Sequence, residues 1–282
     1  MTRTDALAEP GIAGVVLAST DAALDRVRVV LVEPSHPGNI GAAARAMKVM
    51  GLSRLALVAP RHADALTQSD AFALASGAVD VLERATLHAT LDDALAGTTH
   101  AIAMSARDRE FAPPLLSLRD AAREAIGLVS GAASRAPADA AFVFGSERDG
   151  LSNDDVLRCQ ARCRIETSDL YSSLNLAQAV QLVAYECRLA ALAMTASASS
   201  AASSAASSAT SSSSPASHEE REALINHFEQ ALIAIGYLDP EAPKKLMPRL
   251  RRLFARARLE SEEVQWLRGI AKAMLSARKS KP

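Results

Sequence analysis

Three polar segments hold the residues whose types and spacing could do chemistry. The first, residues 33–41, reads Glu-Pro-Ser-His-Pro-Gly-Asn-Ile-Gly and leads from a strand-like run into a helix-like one. Backbone N–H groups at such a helix start can face an anion or a ribose. Arg45 follows Gly41 by four residues, so its guanidinium can point to the same space in front of the helix start. The alternative is an ordinary strand–helix turn with a solvent-facing arginine, since the segment lacks the glycine spacing of a dinucleotide-binding turn.

The second polar segment, residues 144–152, follows a strand-like apolar run and contains two glycines. Gly145 would let another backbone approach closely, and Glu147 and Arg148 come soon after it. Ser152, with Asp155 three residues later, has the pattern of a helix start. The alternative interpretation is a turn with a surface ion pair.

The third polar segment, residues 165–177, is rich in hydroxyl groups and leads into a long amphipathic pattern. Ser172 or Ser173 could be a simple helix N-cap. No His–Asp relay for Ser173 is evident in the sequence, so the pattern disfavours a serine hydrolase.

A strand–helix alternation surrounds these segments. Strands are predicted at residues 27–32, 55–58, 86–88, 100–104 and 141–144, and helices at residues 40–50, 69–75, 79–84, 91–96 and 174–194. This order predicts an α/β fold with a mostly parallel sheet and helices on both faces. Such sheets bind ligands at the carboxyl ends of their strands, where the loops that start at Glu33, Ser105 and Gly145 emerge.

The composition divides the chain into four parts. Residues 1–25 are interpreted as a loosely ordered N-terminal extension and residues 26–194 as the α/β domain. Residues 195–217 are almost all Ser and Ala, which gives too little apolar bulk for packing and predicts a flexible linker. Residues 218–282 return to helical spacing and predict a small α-helical domain, with Trp266 as the anchor of its core.

Bulk composition excludes several classes of protein. The 282 residues carry a net charge of −1, so a nucleic-acid partner must be met by a local patch. The sequence has three cysteines, a sparse and odd number that argues against a disulfide framework. Cys159 and Cys163 are four residues apart, but no second Cys or His pair lies nearby, so a zinc site is not predicted. No apolar run has the length of a membrane span, and the N-terminus lacks the order of a signal peptide. We therefore expect a cytoplasmic protein with no metal and no membrane partner.

A local basic patch is present in the C-terminal part. Seven Lys and Arg residues lie between positions 244 and 258 without an intervening acid. Arg249, Arg252 and Arg256 share one face of a predicted helix. The adjacent face, predicted to pack, holds Leu250, Leu253 and Ala257. We interpret the arginines, with Lys245, as an RNA-binding stripe, and a merely solvated face is the alternative.

Together, the three polar segments resemble the signature motifs of the SPOUT-class RNA 2′-O-methyltransferases. The wording is most similar to the TrmJ-type tRNA (cytidine/uridine-2′-O)-methyltransferases, in Val-Glu-Pro-Ser-His-Pro-Gly-Asn-Ile-Gly, Ala-Arg-Ala-Met-Lys and Tyr-Ser-Ser-Leu-Asn-Leu-Ala. The resemblance covers roughly residues 26–194, and the linker and small helical domain follow in the same order. It implies a deep C-terminal trefoil knot in the α/β domain, which general topology rules would disfavour.

The resemblance also implies roles for single residues. S-adenosyl-L-methionine is the implied cofactor, and its implied binding residues are Met104, Ser105, Ala106, Gly145, Ile165, Ser172, Ser173 and Leu174. The implied catalytic residues are Arg45, Asn39, Glu147 and Ser173, and Arg107 and Arg109 are the implied basic pair used on RNA. A homodimer completed by the partner's arginines is implied as well. Its candidate seam on the last helix of the domain is Leu176, Val180, Val183 and Leu189.

The implied reaction is methylation of a ribose 2′-hydroxyl in tRNA, at the pyrimidine of anticodon-loop position 32. A sulfonium methyl group needs no metal, but the hydroxyl must be held in line with it and must lose its proton. An arginine is a poor base because its pKa exceeds about 12. We therefore expect Arg45 to orient the hydroxyl and stabilise the developing oxyanion, with help from Ser173. The alternatives are a related enzyme for rRNA or another tRNA position, and a non-catalytic RNA-binding protein on the same scaffold.

Overall fold

Seven parallel strands form the central sheet of the part of the chain that the structure describes. This structure is a computed structural model that describes residues 20–130, 138–168, 170–201 and 214–279. The strands are β1 (Val27–Val32), β2 (Arg54–Val58), β3 (Thr86–His88), β4 (His100–Met104), β5 (Leu115–Ser117), β6 (Ala140–Phe144) and β7 (Ala161–Arg164). They lie in the order β3-β2-β1-β6-β4-β7-β5, and each neighbouring pair is parallel.

Helices connect these strands and then follow them. Those of the α/β domain are α1 (Pro37–Met50), α2 (Ser69–Ala75), α3 (Val79–Glu83), α4 (Leu91–Leu95), α5 (Leu118–Val129), α6 (Asn153–Arg158) and α7 (Leu176–Ala201). Those of the C-terminal part are α8 (His218–Ala234), α9 (Leu246–Ala257) and α10 (Ser261–Lys279). None of these helices, in the ranges that the structure describes, is long and apolar enough to cross a membrane.

The sheet is buried on both faces, as its strand sequences require. Successive side chains of a strand point to opposite faces. Val29 and Leu31 of β1 pack into a core with α1, α5 and α7, and Val30 and Val32 pack into a second core with α4 and α6. The predicted α/β fold, with helices on both faces of a parallel sheet, is therefore confirmed.

Strand β7 was not predicted, although it carries the third polar segment. Its sequence is Ala-Arg-Cys-Arg, in which Ala161 and Cys163 are buried while Arg162 and Arg164 are partly exposed. Two arginines in four residues hide the apolar alternation that identifies a strand. The strand lies between β4 and β5, so the chain returns to the interior of the sheet after forming its edge. The residues after Ile165 consequently leave the sheet beside the loop that follows β4.

Residues near the predicted domain boundaries pack more closely than their composition indicates. Residues 20–24, assigned to the N-terminal extension, are helical, and Leu24 is fully buried. Helix α7 continues through residues 195–201 of the predicted linker. At the far end of that linker Ala216 is buried, and its N–H donates to the carbonyl of Leu259. The remaining parts of the extension and the linker, residues 1–19 and 202–213, lie outside the described residues.

The C-terminal helices have a core different from the predicted one. It is built from Leu224, Ile225, Phe254, Leu259 and Val264, with Ala216. Trp266, the predicted anchor, is 56% exposed, so that prediction is wrong. The predicted packing face of α9 is wrong as well, because Leu253 is 47% exposed while Phe254 is buried. Phe254 contacts the ring of Phe228 at 5.9 Å between centroids, which fixes the side of α9 that faces inward.

The C-terminal helices dock on the α/β domain at the start of α8. The buried His218 lies with its Nε2 atom 2.9 Å from the carboxylate of Asp92, which also pairs with Arg158. Hydrogen bonding by His218, with the charge of Arg158, lowers the pKa of the Asp92 carboxyl to about 2. The backbone N–H of His218 donates to the carbonyl of Thr98 at 2.8 Å. These contacts hold α8 against the loop before β4.

Candidate active site

The carboxyl ends of three adjacent strands, β6, β4 and β7, converge on one cavity. The cavity has a volume of about 190 Å³ and opens beside the loops that follow β4, β6 and β7. It is lined by Met104, Ser105, Ala106, Phe144, Gly145, Ser146, Glu147, Gly150, Cys163, Ile165, Thr167, Ser172, Leu174, Leu176 and Ala179. Seven of the eight residues predicted to bind the cofactor are among these. Ser173 is not, and it is exposed next to Ser172.

Gly145 lies in the cavity wall, against the backbone of its own loop. A Cβ atom at this position would lie 2.0 Å from the carbonyl carbon of Gly150 and 2.2 Å from the backbone nitrogen of Leu151. Real Cβ atoms do not approach backbone atoms so closely, so only glycine at position 145 lets the backbone at the start of this loop contact the backbone at its end. The close approach predicted for Gly145 is present, and its partner is the backbone of the loop itself.

The lining combines apolar and hydroxyl-bearing side chains. The apolar group consists of Met104, Phe144, Ile165, Leu174 and Leu176. The hydroxyl groups come from Ser105, Ser146, Thr167 and Ser172. Burial raises the pKa of the Cys163 thiol to about 12, so this cysteine is neutral at physiological pH. The cavity therefore suits a ligand with apolar rings and several polar groups, bound without a covalent bond.

Glu147 holds the first polar segment in place. Its carboxylate accepts hydrogen bonds from the backbone N–H and the hydroxyl of Ser35, at 2.9 and 2.7 Å, and from the Asn39 amide at 2.8 Å. The backbone N–H of His36, the residue before α1, also points to it at 3.4 Å. A carboxylate at a helix start is stabilised by the helix dipole. The N–H groups expected to face an external anion or ribose are thus bound to Glu147 instead.

The ionisation of Glu147 defines what it can do. Burial opposes its negative charge, but the hydrogen bonds from Asn39 and Ser35 outweigh burial and lower the pKa of its carboxyl to about 2. At neutral pH the side chain is therefore an anion that accepts hydrogen bonds and does not take up protons. The geometry supports a positioning role for Glu147 rather than that of a general base.

Asn39 connects the three polar segments. Its amide nitrogen donates to Glu147 of the second segment, and its amide oxygen accepts from the side chain of Asn175 in the third, at 3.0 Å. The Asn175 oxygen in turn accepts the N–H of Ala177 at 2.9 Å, at the start of α7. Asn175 was not predicted as a site residue. The signal for it was an amide residue directly before a helix, which is a common capping position.

Gly41 serves helix packing rather than ligand binding. A Cβ atom there would lie 2.0 Å from the carbonyl oxygen of Ala71, so α1 and α2 contact each other backbone to backbone. This close packing fixes the direction in which α1 leaves the first polar segment.

Arg45 is exposed on α1 and does not line the cavity of its own chain. Helices α1 and α7 lie side by side and run in the same direction. Asn175 donates to Asn39 at one end, and Arg188 donates to the Met50 carbonyl at the other, at 3.0 and 3.2 Å. Arg45 lies six residues beyond Asn39, about 9 Å along the helix axis. Arg45 thus lies beyond the polar segment along α1, and it is exposed to solvent.

The α1–α7 pair exposes several large apolar side chains. Leu182, Tyr185 and Leu189 of α7 are 39%, 47% and 39% exposed and recur at helical spacing along one stripe. Val49 of α1, four residues after Arg45, is also exposed. The predicted dimer seam is wrong in part, because its other members, Leu176, Val180 and Val183, are buried in the domain core.

The predicted basic pair after β4 is divided between two roles. Arg107 is exposed. The guanidinium of Arg109 donates to the carbonyls of Leu151 and Ser152, at 2.5 and 2.9 Å, and burial lowers its pKa. Arg109 therefore braces the loop after Gly150, and Arg107 is the member of the pair that faces solvent.

The site holds no cluster of metal ligands. Within the described ranges, no group of three or more His, Cys, Asp or Glu side chains is placed to hold a metal ion. The cysteines at positions 159, 163 and 187 are buried and free.

The parallel α/β sheet and the cavity between the loops after β4, β6 and β7 agree with the fold of the SPOUT-class methyltransferases. Residues 26–185 match the SpoU rRNA methylase family, and residues 219–282 match the C-terminal domain of the tRNA methyltransferase TrmJ. The chain belongs to the SpoU methylase family and is an enzyme of the TrmJ type.

Similar proteins cover nearly all of the chain. It is 44% identical over 247 residues to a tRNA (cytidine/uridine/adenosine-2′-O-)-methyltransferase TrmJ of Pseudomonas aeruginosa, spanning 88% of this chain and 93% of that protein. A crystal structure of TrmJ from Z. mobilis ZM4 has a TM-score of 0.71 at 33% identity, covering 88% of this chain and 98% of that one. A probable methyltransferase from Bordetella pertussis is 47% identical, with a TM-score of 0.57, and covers 61% of this chain and 99% of that one.

Proposed function

We propose that this enzyme transfers a methyl group from S-adenosyl-L-methionine to a ribose 2′-hydroxyl of tRNA. The observation that carries the proposal is the convergence of the loop after β4 and the second and third polar segments on one cavity, with the first polar segment joined to them by the Glu147–Asn39–Asn175 network. The Pseudomonas aeruginosa relative supports tRNA as the substrate, because its name specifies tRNA 2′-O-methylation. A tRNA substrate would place the protein in the cytoplasm.

The cavity residues fit S-adenosyl-L-methionine. Met104, Ile165 and Leu174 would bind its adenine, and the hydroxyls of Ser105 and Ser172 would bind its polar groups. The bound cofactor would supply an activated methyl group on a sulfonium, so the transfer needs no metal. Gly145 leaves room at the wall where any side chain would collide with the opposite backbone.

The protein must orient the ribose hydroxyl and stabilise the charge that develops on its oxygen. Arg45 is the proposed group for both tasks, since a guanidinium remains charged at neutral pH and donates several hydrogen bonds. Ser173, exposed beside the cavity, would add a hydrogen bond to the hydroxyl. Asn39 and Glu147 would act on the geometry by keeping the three segments together.

The proposed target is the pyrimidine at anticodon-loop position 32, with rRNA or another tRNA position as the alternative. The names of two relatives specify cytidine and uridine, and one adds adenosine. Mapping ribose methylation on tRNA transcripts incubated with the enzyme and the cofactor tests this proposal. Methylation at a different nucleotide would reject the position. Absence of cofactor binding by calorimetry would favour the non-catalytic scaffold.

The proposed active form is a homodimer in which the α1–α7 stripe is the seam. Arg45 is exposed on α1, the helix packed beside this stripe, and does not line the cavity of its own chain, so it would reach the cavity of the partner subunit. Leu182, Tyr185 and Leu189 would supply the apolar contact, as is common at the centre of dimer interfaces.

Introducing charge into this seam should dissociate the dimer. We expect Tyr185→Glu combined with Leu189→Glu to weaken association by more than about 100-fold, because an uncompensated buried charge costs about 3–5 kcal/mol. Analytical ultracentrifugation over a range of concentrations measures this change. Leu87→Glu is the matched control, since Leu87 is 53% exposed on β3 outside the stripe. An unchanged mass for the double variant would place the interface elsewhere.

The RNA-binding stripe of α9 is smaller than its sequence indicates. Three of the seven basic side chains between positions 244 and 258 are paired with acids from other parts of the chain. These pairs are Lys245–Glu110, Arg251–Glu222 and Arg258–Glu124. Arg249, Arg252 and Arg256 are exposed and take part in no ion pair with a described residue. We propose these three as the phosphate contacts, with Lys245 used mainly inside the protein.

Removing the three arginines should weaken tRNA binding without affecting the cofactor. We expect Arg249→Ser, Arg252→Ser and Arg256→Ser together to lower tRNA affinity about 10- to 100-fold at physiological salt. We also expect the slope of log affinity against log salt to fall by about 2–3, because each phosphate contact contributes about 0.7–0.9. Arg84→Ser with Arg123→Ser is the control, since both are surface arginines paired with acids. A wild-type salt slope in the triple variant would contradict the assignment.

A further inference from the structure

The loop between β4 and β5 joins the cavity to the C-terminal helices. It begins with Ser105 and Ala106, which line the cavity. Arg162 of β7 fixes its first half, donating to the Arg107 carbonyl at 3.1 Å and to the Asp108 carboxylate at 2.9 Å. This half of the loop is therefore held to the sheet, which gives the loop tip a fixed position relative to the cavity wall.

The tip of this loop contacts the first turn of α9 through two adjacent residues. Glu110 forms an ion pair with Lys245. The ring of Phe111 has the Lys245 ammonium 5.5 Å and the Arg249 guanidinium 5.4 Å from its centroid. Both distances are within the range of cation–π attraction. One aromatic ring therefore binds two cations of the basic helix.

Phe111 also has an unfavourable backbone conformation. Its φ angle is +63°, in the left-handed region that residues with a large side chain rarely adopt. Such a conformation persists only where surrounding contacts enforce it, and it is often associated with function. Here it directs the ring to α9, and the described contacts of the ring are with Lys245 and Arg249.

The opposite end of α9 is attached as well. Arg258, the residue after the helix, donates to Glu124 of α5 at 2.8 Å. With its two ends bound to the α/β domain, α9 has one orientation relative to the cavity. Arg249 and Arg256 are about 10 Å apart along the helix axis, so the three arginines extend away from the loop tip over a length greater than the distance between two neighbouring RNA phosphates.

We propose that Phe111 and Glu110 are positioning residues that align the RNA-binding stripe of α9 with the methyl-transfer cavity of the same chain. RNA bound along Arg249, Arg252 and Arg256 would then pass Arg107 and reach the cavity in one register. The inference rests on the proposed function, since it assumes that the stripe binds RNA. Beyond the proposed function, the position of the stripe, as well as its charge, would determine which nucleotide enters the methyl-transfer cavity.

Substitutions at Phe111 test the role of its ring. We expect Phe111→Ala and Phe111→Leu each to lower kcat/KM for tRNA about 5- to 30-fold, because both remove two cation–π contacts. Phe111→Tyr keeps the aromatic face and should remain close to wild type. Cofactor affinity, measured by calorimetry, should be unchanged in all three full-length variants. Wild-type kinetics for Phe111→Leu, or a loss of cofactor affinity in it, would overturn the proposal.

Two combined variants show whether the loop acts through α9. In a background of Lys245→Ala with Arg249→Ala, Phe111→Ala should have no further effect, and an additive loss would overturn the proposal. Glu110→Lys should lower kcat/KM by repelling Lys245, and adding Lys245→Glu should restore part of the loss by reversing the ion pair, since the contact of the Lys245 ammonium with Phe111 is still missing. Failure of the swap to restore activity would also count against the proposal.

The failure of this inference can be distinguished from the failure of the proposed function. If removing Arg249, Arg252 and Arg256 leaves tRNA affinity unchanged, the RNA-binding role of α9 is rejected. If that triple variant loses affinity while Phe111→Ala remains at wild-type kcat/KM, the stripe binds RNA and only the alignment role is rejected.

Discussion

Replacing Gly145 with alanine is expected to abolish cofactor binding. The added methyl group would lie 2.0 Å from the Gly150 carbonyl carbon and 2.2 Å from the Leu151 nitrogen. Both atoms are backbone, so no side-chain rotation can relieve the overlap, and the loop that forms the cavity wall must move. Gly150 and Glu147 also line this wall. A displaced loop would therefore change the shape of the cavity and weaken the bracing of Asn39.

The size of this effect follows from packing rules. Inserting a methyl group into a closely packed position costs about 1–3 kcal/mol, and the displaced loop loses cavity contacts in addition. We expect cofactor affinity to fall by more than about 100-fold, a change of roughly 2.7 kcal/mol. Isothermal titration calorimetry with S-adenosyl-L-methionine measures the loss, and thermal unfolding followed by circular dichroism tests whether the fold persists.

Gly127→Ala is the matched control for this substitution. Gly127 lies within α5, and a Cβ atom there would meet no atom within 4 Å. Alanine is favoured over glycine in a helix by about 1 kcal/mol, so this variant should be slightly more stable and should bind the cofactor normally. Wild-type cofactor affinity in Gly145→Ala would reject the cavity as the cofactor site.

Local apolar patterns predicted most of the fold. Runs such as residues 27–32 and 140–144 are buried on both faces of the sheet, so nearly every position is apolar and the strand is evident. Strand β7 escaped because Arg162 and Arg164 interrupt its pattern while forming contacts with Asp108 and Glu166. The helix at residues 118–129, which is α5, is likewise absent from the elements predicted from the sequence.

The resemblance of the motifs predicted the residues of the site. It did not predict which basic residues around α9 form ion pairs. Seven predicted cofactor residues line the cavity, because the polar segments lie at strand ends that the alternation of elements brings together. Lys245 and Arg258 find their acidic partners at Glu110 and Glu124, more than 130 positions away. Sequence spacing carries no information on such pairs, so the basic stripe was predicted to be larger than the three arginines left exposed.

Trp266 shows a further limit of composition. A single tryptophan is usually a core residue, but Phe254 and Leu224 form the centre of the C-terminal core and Trp266 lies on its surface. The hydrophobicity of a residue predicts burial only when the helix face it occupies is also known.

Arg45→Ala should retain cofactor binding and lose methyl transfer. Arg45 does not line the cavity of its own chain, so its removal should leave cofactor affinity within about 2-fold of wild type, a difference below 0.5 kcal/mol. The loss of one preorganised donor to a developing oxyanion lowers kcat by about 100- to 1,000-fold. Arg45→Lys should recover only part of the rate, because an ammonium cannot reproduce the planar fork of donors. Single-turnover methylation of tRNA at saturating cofactor measures the rate, and full activity in Arg45→Ala would remove this residue from the mechanism.

Mixing two inactive variants shows which subunit supplies the guanidinium. A hybrid dimer of Arg45→Ala and Gly145→Ala has one intact cavity, on the Arg45→Ala chain, and one intact arginine, on the Gly145→Ala chain. If the arginine acts across the seam, these two parts form one complete site. Random exchange of subunits should then restore about a quarter of wild-type activity, since half the dimers are hybrids with one working site of two. If each cavity uses the arginine of its own chain, the mixture stays inactive, and the proposal that Arg45 acts across the seam is rejected.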